Sequence, residues 1–165
     1  MADTHRAYIG LGSNLDDPLA QVQRALAALD RLPLTQRVAA SPCYTSRPVG
    51  PQDQPDFVNA VAALDTRLSP LALLDLLQAL EQRQRRRRLR HWGPRTLDLD
   101  LLLYDDICLA TPRLTLPHPH MASRGFVLLP LADIAPAQCL PDGRRVAELA
   151  AEHAGDGLRV LLPQR

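Results

Sequence analysis

The run Trp92-Gly-Pro-Arg-Thr-Leu-Asp-Leu-Asp-Leu-Leu-Leu-Tyr104 constrains this chain more than any other stretch, because leucine alternates in it with polar residues. Side chains alternate across a β-strand, so Leu97, Leu99, Leu101 and Leu103 are expected in the core, with Thr96, Asp98 and Asp100 together on the opposite face. Acids are poor strand formers, and two on one face repel unless a cation or a basic group lies between them. Mg²⁺ is the usual oxygen-seeking candidate. For such a pair taken alone, a solvated polar face on an edge strand is the alternative.

The neighbouring residues favour the cation. Arg95 follows a rigid Gly-Pro turn, and five of the six residues 85–90 are arginine. Carboxylates and guanidinium groups beside a loop suit a Mg-bound polyphosphate, with the acids holding metal and the arginines taking the remaining oxygens. All 19 basic residues are Arg, and the absence of Lys removes P-loop, Schiff-base and lysine general-base chemistry. Phosphate chemistry here must run on Arg and metal, for which a planar fork is suited. The arginine run alone would equally suit an RNA-binding surface, but an RNA-binding sheet interleaves aromatics, and the chain is only 4% aromatic.

The remaining pattern predicts a short strand over Ala7–Asn14 that runs into a tight Gly12-Ser-Asn14 turn near a ligand, and strands at Arg37–Thr45 and Phe57–Thr66, the last reading Phe-Val-Asn-Ala-Val-Ala-Ala-Leu. Helices are expected from Pro18 to Leu32, with Asp16 or Asp17 as cap, and after Ser69-Pro70, where Leu73, Leu76, Leu77 and Leu80 share a face. Ser46–Asp56, with three prolines, and Gln82–His91 read as loops. After the acid-bearing strand come a polar connection to Pro117-His-Pro-His120 and a short apolar element from Arg124. A turn at Asp142-Gly143, a helix near Val146–His153 and a last strand near Leu158–Leu162 complete the chain. The order strand, helix, strand, strand, helix, strand predicts an α+β fold with a ferredoxin-like split βαβ core. Helices are expected on one face of its antiparallel sheet, leaving the other open for a ligand.

With 165 residues and 46% hydrophobic content, one domain is expected. Net charge is +1, so no global field favours nucleic acid or a membrane. Cys43, Cys108 and Cys139 are widely spaced and form no CxxC, which argues against a disulfide framework or a zinc site. Met1–Ile9 lacks a basic segment followed by an apolar core, and no apolar run approaches the roughly 20 residues that span a bilayer. A cytoplasmic location is the expectation.

Four motifs in order carry a resemblance over residues 7–136. They are Tyr8-Ile-Gly-Leu-Gly-Ser-Asn-Leu15, Pro48-Val-Gly-Pro-Gln-Asp-Gln-Pro-Asp-Phe-Val-Asn59, Trp92-Gly-Pro-Arg-Thr-Leu-Asp-Leu-Asp100, and Leu116-Pro-His118 followed by Arg124-Gly-Phe126. Together they resemble the 6-hydroxymethyl-7,8-dihydropterin pyrophosphokinases of folate biosynthesis. The resemblance implies transfer of the β,γ-pyrophosphate of the co-substrate ATP to the pterin hydroxymethyl group, with release of AMP. It implies that Asp98 and Asp100 hold two Mg²⁺ ions. It implies that Phe57 and Phe126 sandwich the pterin while Asn59 bonds its edge, helped by backbone near Ser46 and Val49.

For ATP the resemblance points to Glu81, Arg85, Arg87, Trp92, Arg95, Leu101, Arg113, Thr115, His118 and Arg124, with Leu101 contributing backbone contacts to adenine. Arg85, Arg87, Trp92 and Arg95 correspond to a closing lid, and the family precedent is a monomer. Gln84 stands where the family has glycine, His91 where arginine is common, and Pro119 where some members carry an aromatic.

Overall fold

The computed structural model describes residues 3–14, 17–46, 56–86 and 97–161, with the side chains of Arg85 and Arg86 outside that set. Strand β1 (His5–Ser13) leads into helix α1 (Pro18–Leu29), which is capped by Asp17, whose carboxylate accepts the Ala20 N–H at 3.4 Å. Strands β2 (Thr35–Ala40) and β3 (Tyr44–Ser46) follow, then β4 (Phe57–Thr66), helix α2 (Pro70–Arg86) and β5 (Asp98–Tyr104). A small ribbon of β6 (Leu109–Ala110) and β7 (Thr115–Leu116) precedes α3 (Gly125–Ile134), α4 (Val146–Ala151) and β8 (Arg159–Val160).

The main sheet runs β5-β1-β4-β3-β8, with β2 also paired to β4, and every ladder in it is antiparallel. With β2 and β3 counted as one broken strand, this is the split βαβ order expected from the sequence. The expected single strand Arg37–Thr45 breaks because Pro42 has no N–H to give to a ladder. Ser41 bridges the break: its N–H donates to Val61 O at 2.8 Å, and its Oγ accepts the Val61 N–H at 2.9 Å.

One face of the sheet buries Ala7, Ile9, Leu11, Val58, Ala60, Ala62, Leu64, Leu97, Leu99 and Leu101 against α1 and α2. On α2, Leu73 and Leu77 are wholly buried, and Ser69 Oγ accepts the Ala72 N–H at 3.2 Å at its start. Residues 82–86, expected as loop, continue this helix. Gln84 is only 6% exposed and donates from Nε2 to Gln21 Oε1 on α1 at 2.5 Å, which ties down a turn that charge alone would leave in solvent.

Among the described residues the opposite face is open at only one end, where the sequence suggested a wholly open face. At the other end Tyr8, Val61, Ala63, Leu102 and Leu103 pack beneath α3 and α4. The apolar element after Arg124 is therefore a helix of ten residues, despite Pro130 inside it. An interior proline costs about 3 kcal/mol or more. Burying Val127, Leu128 and Leu131 returns about 1.5–3 kcal/mol each, which outweighs that cost. Leu102 and Leu103 both join this buried end because the β1–β5 register shifts between Tyr8 and Ile9, so the alternation that sorts residues 97–101 stops there. Among the described residues no helix is long and apolar enough to cross a membrane.

Candidate active site

The open end of the second face is built by register. Asp98 lies opposite Gly12 and Asp100 opposite Gly10, while on the other side of β1 Gly12 lies opposite Asn59. Residues directly opposite in an antiparallel ladder share a face, so both carboxylates and Asn59 flank a floor of glycine. That floor is tight. A Cβ on Gly12 would come within 2.8 Å of Asn59 Nδ2, and one on Gly10 within 3.4 Å of Leu102. Asp98 is exposed and Asp100 half-buried, both turned away from the leucines as the alternation predicts.

The row continues through the residues that the resemblance assigns to the pterin. Phe57 lies two residues before Asn59 on β4 and opposite Ser46 on β3, so all three look onto this same face. Asn59 is 6% exposed, and its Oδ1 is buried with no hydrogen-bond partner among the described residues. An unmade bond at a buried amide costs about 1–3 kcal/mol, so such a group points to a ligand with a donor to offer. Phe126, in the first turn of α3, is 36% exposed, and the Arg124 guanidinium lies 5.5 Å from its ring centroid.

A cavity of about 270 Å³ opens along the outer edge of β5. Glu81, Leu101, Arg113, Thr115 and His118 all line it, five of the residues that the resemblance assigns to ATP, and Asp100 lines it too. β5 is an edge strand, so alternate peptide groups face outward from it. The Leu99 N–H is used by Glu81, whose Oε2 accepts it at 2.8 Å. Two residues further on, Leu101 presents its peptide groups to the same edge and the cavity. Arg113 is held at the rim by α2, donating from one guanidinium nitrogen to Asp75 at 2.6 Å and to Gln78 at 3.0 Å.

His118 is placed by its backbone N–H, which donates to Leu102 O at 2.9 Å. Burial pushes its imidazole below the ordinary 6.5; Arg124 and His120 add to the lowering, and the Asp100 carboxylate opposes it. Nδ1 accepts the His120 N–H at 3.2 Å, so the neutral ring carries its proton on Nε2 and is a donor there. Because its folded value is depressed, the unfolded chain takes up this proton first as pH falls. The share of stability from His118 is thus present above 6.5 and lost as pH falls through 6.5 towards the folded value. NMR titration of the free protein is expected to place the His118 midpoint below 6.5. A midpoint above that value would mean that Asp100 outweighs burial.

Val49, Arg87, Trp92 and Arg95 lie outside the described residues, as does the Arg85 side chain, whose backbone belongs to the last turn of α2. Among the described residues no group of three or more His, Cys, Asp or Glu could hold a metal. The two aspartates still fit Mg²⁺, which is commonly held by one or two carboxylates together with substrate phosphates and water rather than by an all-protein cage. The sequence reading missed one contributor and misplaced another. Gln78 lines the cavity and lies three residues before Glu81, a helical spacing that puts both on one face of α2. Gly12, expected in a tight turn near a ligand, instead lies within β1 and leaves the floor bare, and a glycine inside a strand marks close approach.

The chain is similar to known proteins over most of its length. Residues 8–136 match the family model described as 7,8-dihydro-6-hydroxymethylpterin-pyrophosphokinase. The 2-amino-4-hydroxy-6-hydroxymethyldihydropteridine pyrophosphokinase of Pseudomonas aeruginosa is 58% identical, covering 94% of this chain and 96% of its own. Its counterpart from Haemophilus influenzae is 50% identical, covering 95% and 98%. In fold, the chain is similar to a Plasmodium falciparum HPPK-DHPS crystal structure with pteroate, at a TM-score of 0.74 and 14% identity. That likeness covers 92% of this chain, which spans 42% of the longer one. The chain belongs to the 7,8-dihydro-6-hydroxymethylpterin-pyrophosphokinase family and is an ATP-dependent pyrophosphokinase of folate biosynthesis.

Proposed function

We propose that the open end of the sheet is where pyrophosphate passes from ATP to the hydroxymethyl group of 6-hydroxymethyl-7,8-dihydropterin, giving the pterin diphosphate and AMP. One observation carries this reading: Asp100 belongs both to the glycine-floored face shared with Asn59 and to the cavity lined by Glu81, Leu101, Arg113, Thr115 and His118. A nucleotide in the cavity and a flat acceptor on the floor would then meet at the two carboxylates.

Asp98 and Asp100 would hold two Mg²⁺ ions, which when bound supply the positive charge that attack on a polyphosphate requires. Asn59 Oδ1, buried and without a partner among the described residues, would accept from an N–H on the pterin edge, while Phe57 and Phe126 offer ring faces and Ser46 and Val49 backbone groups. Leu101 offers peptide groups to adenine. Neutral His118 donates from Nε2, and Arg113 and Thr115 stand at the same cavity. Arg85, Arg87, Arg95 and Arg124 complete the assignment, their guanidinium groups gripping phosphate oxygens, with Trp92 helping to exclude water.

In keeping with the family precedent, the proposed enzyme is a monomer built as a single domain and acts in the cytoplasm, where ATP is available. The nucleotide product tests the reading. AMP is expected when ATP, Mg²⁺ and the reduced hydroxymethylpterin are supplied, and ADP would overturn the reaction assigned.

A further inference from the structure

We infer that the hydrogen bond from Tyr44 to Asp133 is a positioning device for the pterin, holding the wall that carries Ser46, Phe57 and Asn59 at a fixed separation from the wall that carries Phe126. This deepens the proposed function and rests on its assignment of the pterin to these residues.

Tyr44 opens β3 and lies directly opposite Asn59, so its side chain shares the substrate face with that amide. The side chain is buried, yet its hydroxyl reaches across 89 positions of sequence to donate to Asp133 Oδ2 in the last turn of α3. Burial and the Asp133 carboxylate both push the phenol far above its ordinary value, so Tyr44 keeps its proton and remains the donor. β3 needs such an anchor. It is three residues long, paired to β4 on one side and to the two-residue β8 on the other.

The helix end of the bond is placed to matter. Asp133 follows Phe126 by seven residues, close to two full turns, so both lie on one stripe of α3 about 10 Å apart. Fixing Asp133 against β3 therefore fixes the rotation of α3, and with it the direction of Phe126. Apolar packing alone would let helix and strand slide, whereas a hydrogen bond to an ionised carboxylate sets both distance and direction.

The test compares Tyr44→Phe, Asp133→Ala and Asp133→Asn in steady-state kinetics with both substrates varied. Tyr44→Phe and Asp133→Ala are expected to raise KM for the pterin about tenfold, leaving kcat and KM for ATP within about twofold. Asp133→Asn keeps an acceptor oxygen and is expected to restore pterin KM to within about threefold of wild type. Unchanged pterin KM in Tyr44→Phe and Asp133→Ala, beside a normally active wild type, would overturn the positioning role alone. Equal rises in both KM values would also overturn it, by showing a general loosening. A wild-type protein unable to use the pterin would overturn the site assignment and this inference with it.

Discussion

Replacing Asp98 or Asp100 by alanine is expected to lower kcat by about 10³-fold or more, a loss of several kcal/mol of transition-state stabilisation. The fold should survive. Asp98 is exposed, Asp100 half-buried, and both face the open end of the sheet rather than the leucine core. Surface changes of this kind usually stay within about 0.5 kcal/mol, and removing one of two like charges from a strand face relieves repulsion. Thermal unfolding measured beside the kinetics separates the two effects. A variant that turns over at near wild-type rate would remove the carboxylates from the reaction, and one that loses activity only because it melts early would make them structural.

Asn59→Leu is expected to move function and stability in opposite directions. The Oδ1 atom is buried and has no partner among the described residues, so an apolar side chain of similar shape relieves a desolvation cost of about 1–3 kcal/mol. The melting temperature should hold or rise. The same change deprives the pterin edge of its acceptor, and KM for the pterin is expected to rise about 10- to 100-fold, with KM for ATP unaffected. A fall in melting temperature with pterin KM unchanged would make Asn59 a support of the sheet instead of a substrate contact.

These expectations rest on features that the sequence displays to different degrees. Period-two alternation made Asp98 to Leu101 legible, because each residue there has a neighbour on β1 in simple register. The same rule stopped at Leu102, where the register shift that sends two consecutive leucines under α3 is a property of β1 and β5 together. Ser69-Pro70 and the leucine stripe announced α2, but its continuation to Arg86 was hidden because the Gln21–Gln84 bond joins residues 63 positions apart. The helix after Arg124 was obscured by Pro130, whose local cost is outweighed only by burial against strands that a linear reading does not bring near.

The candidate site divides along the same line. Asp98 and Asp100 were readable from spacing, and Glu81, Leu101, Arg113, Thr115 and His118 from motif resemblance. Their meeting in one cavity with Asp100 depends on the edge position of β5. The bond from Tyr44 to Asp133 had no local signal, since neither residue stands in a motif. Gly12 and Asn59 were both visible as letters, but their closeness follows only from the β1–β4 register.

A ³¹P spectrum of the wild-type reaction with ATP, Mg²⁺ and 6-hydroxymethyl-7,8-dihydropterin tests the central claim most directly. Pyrophosphoryl transfer at the two aspartates predicts that the γ and β resonances of ATP leave together for a new pterin diphosphate, with AMP as the nucleotide left behind. Accumulation of ADP, or of free phosphate without a pterin diphosphate, would contradict it.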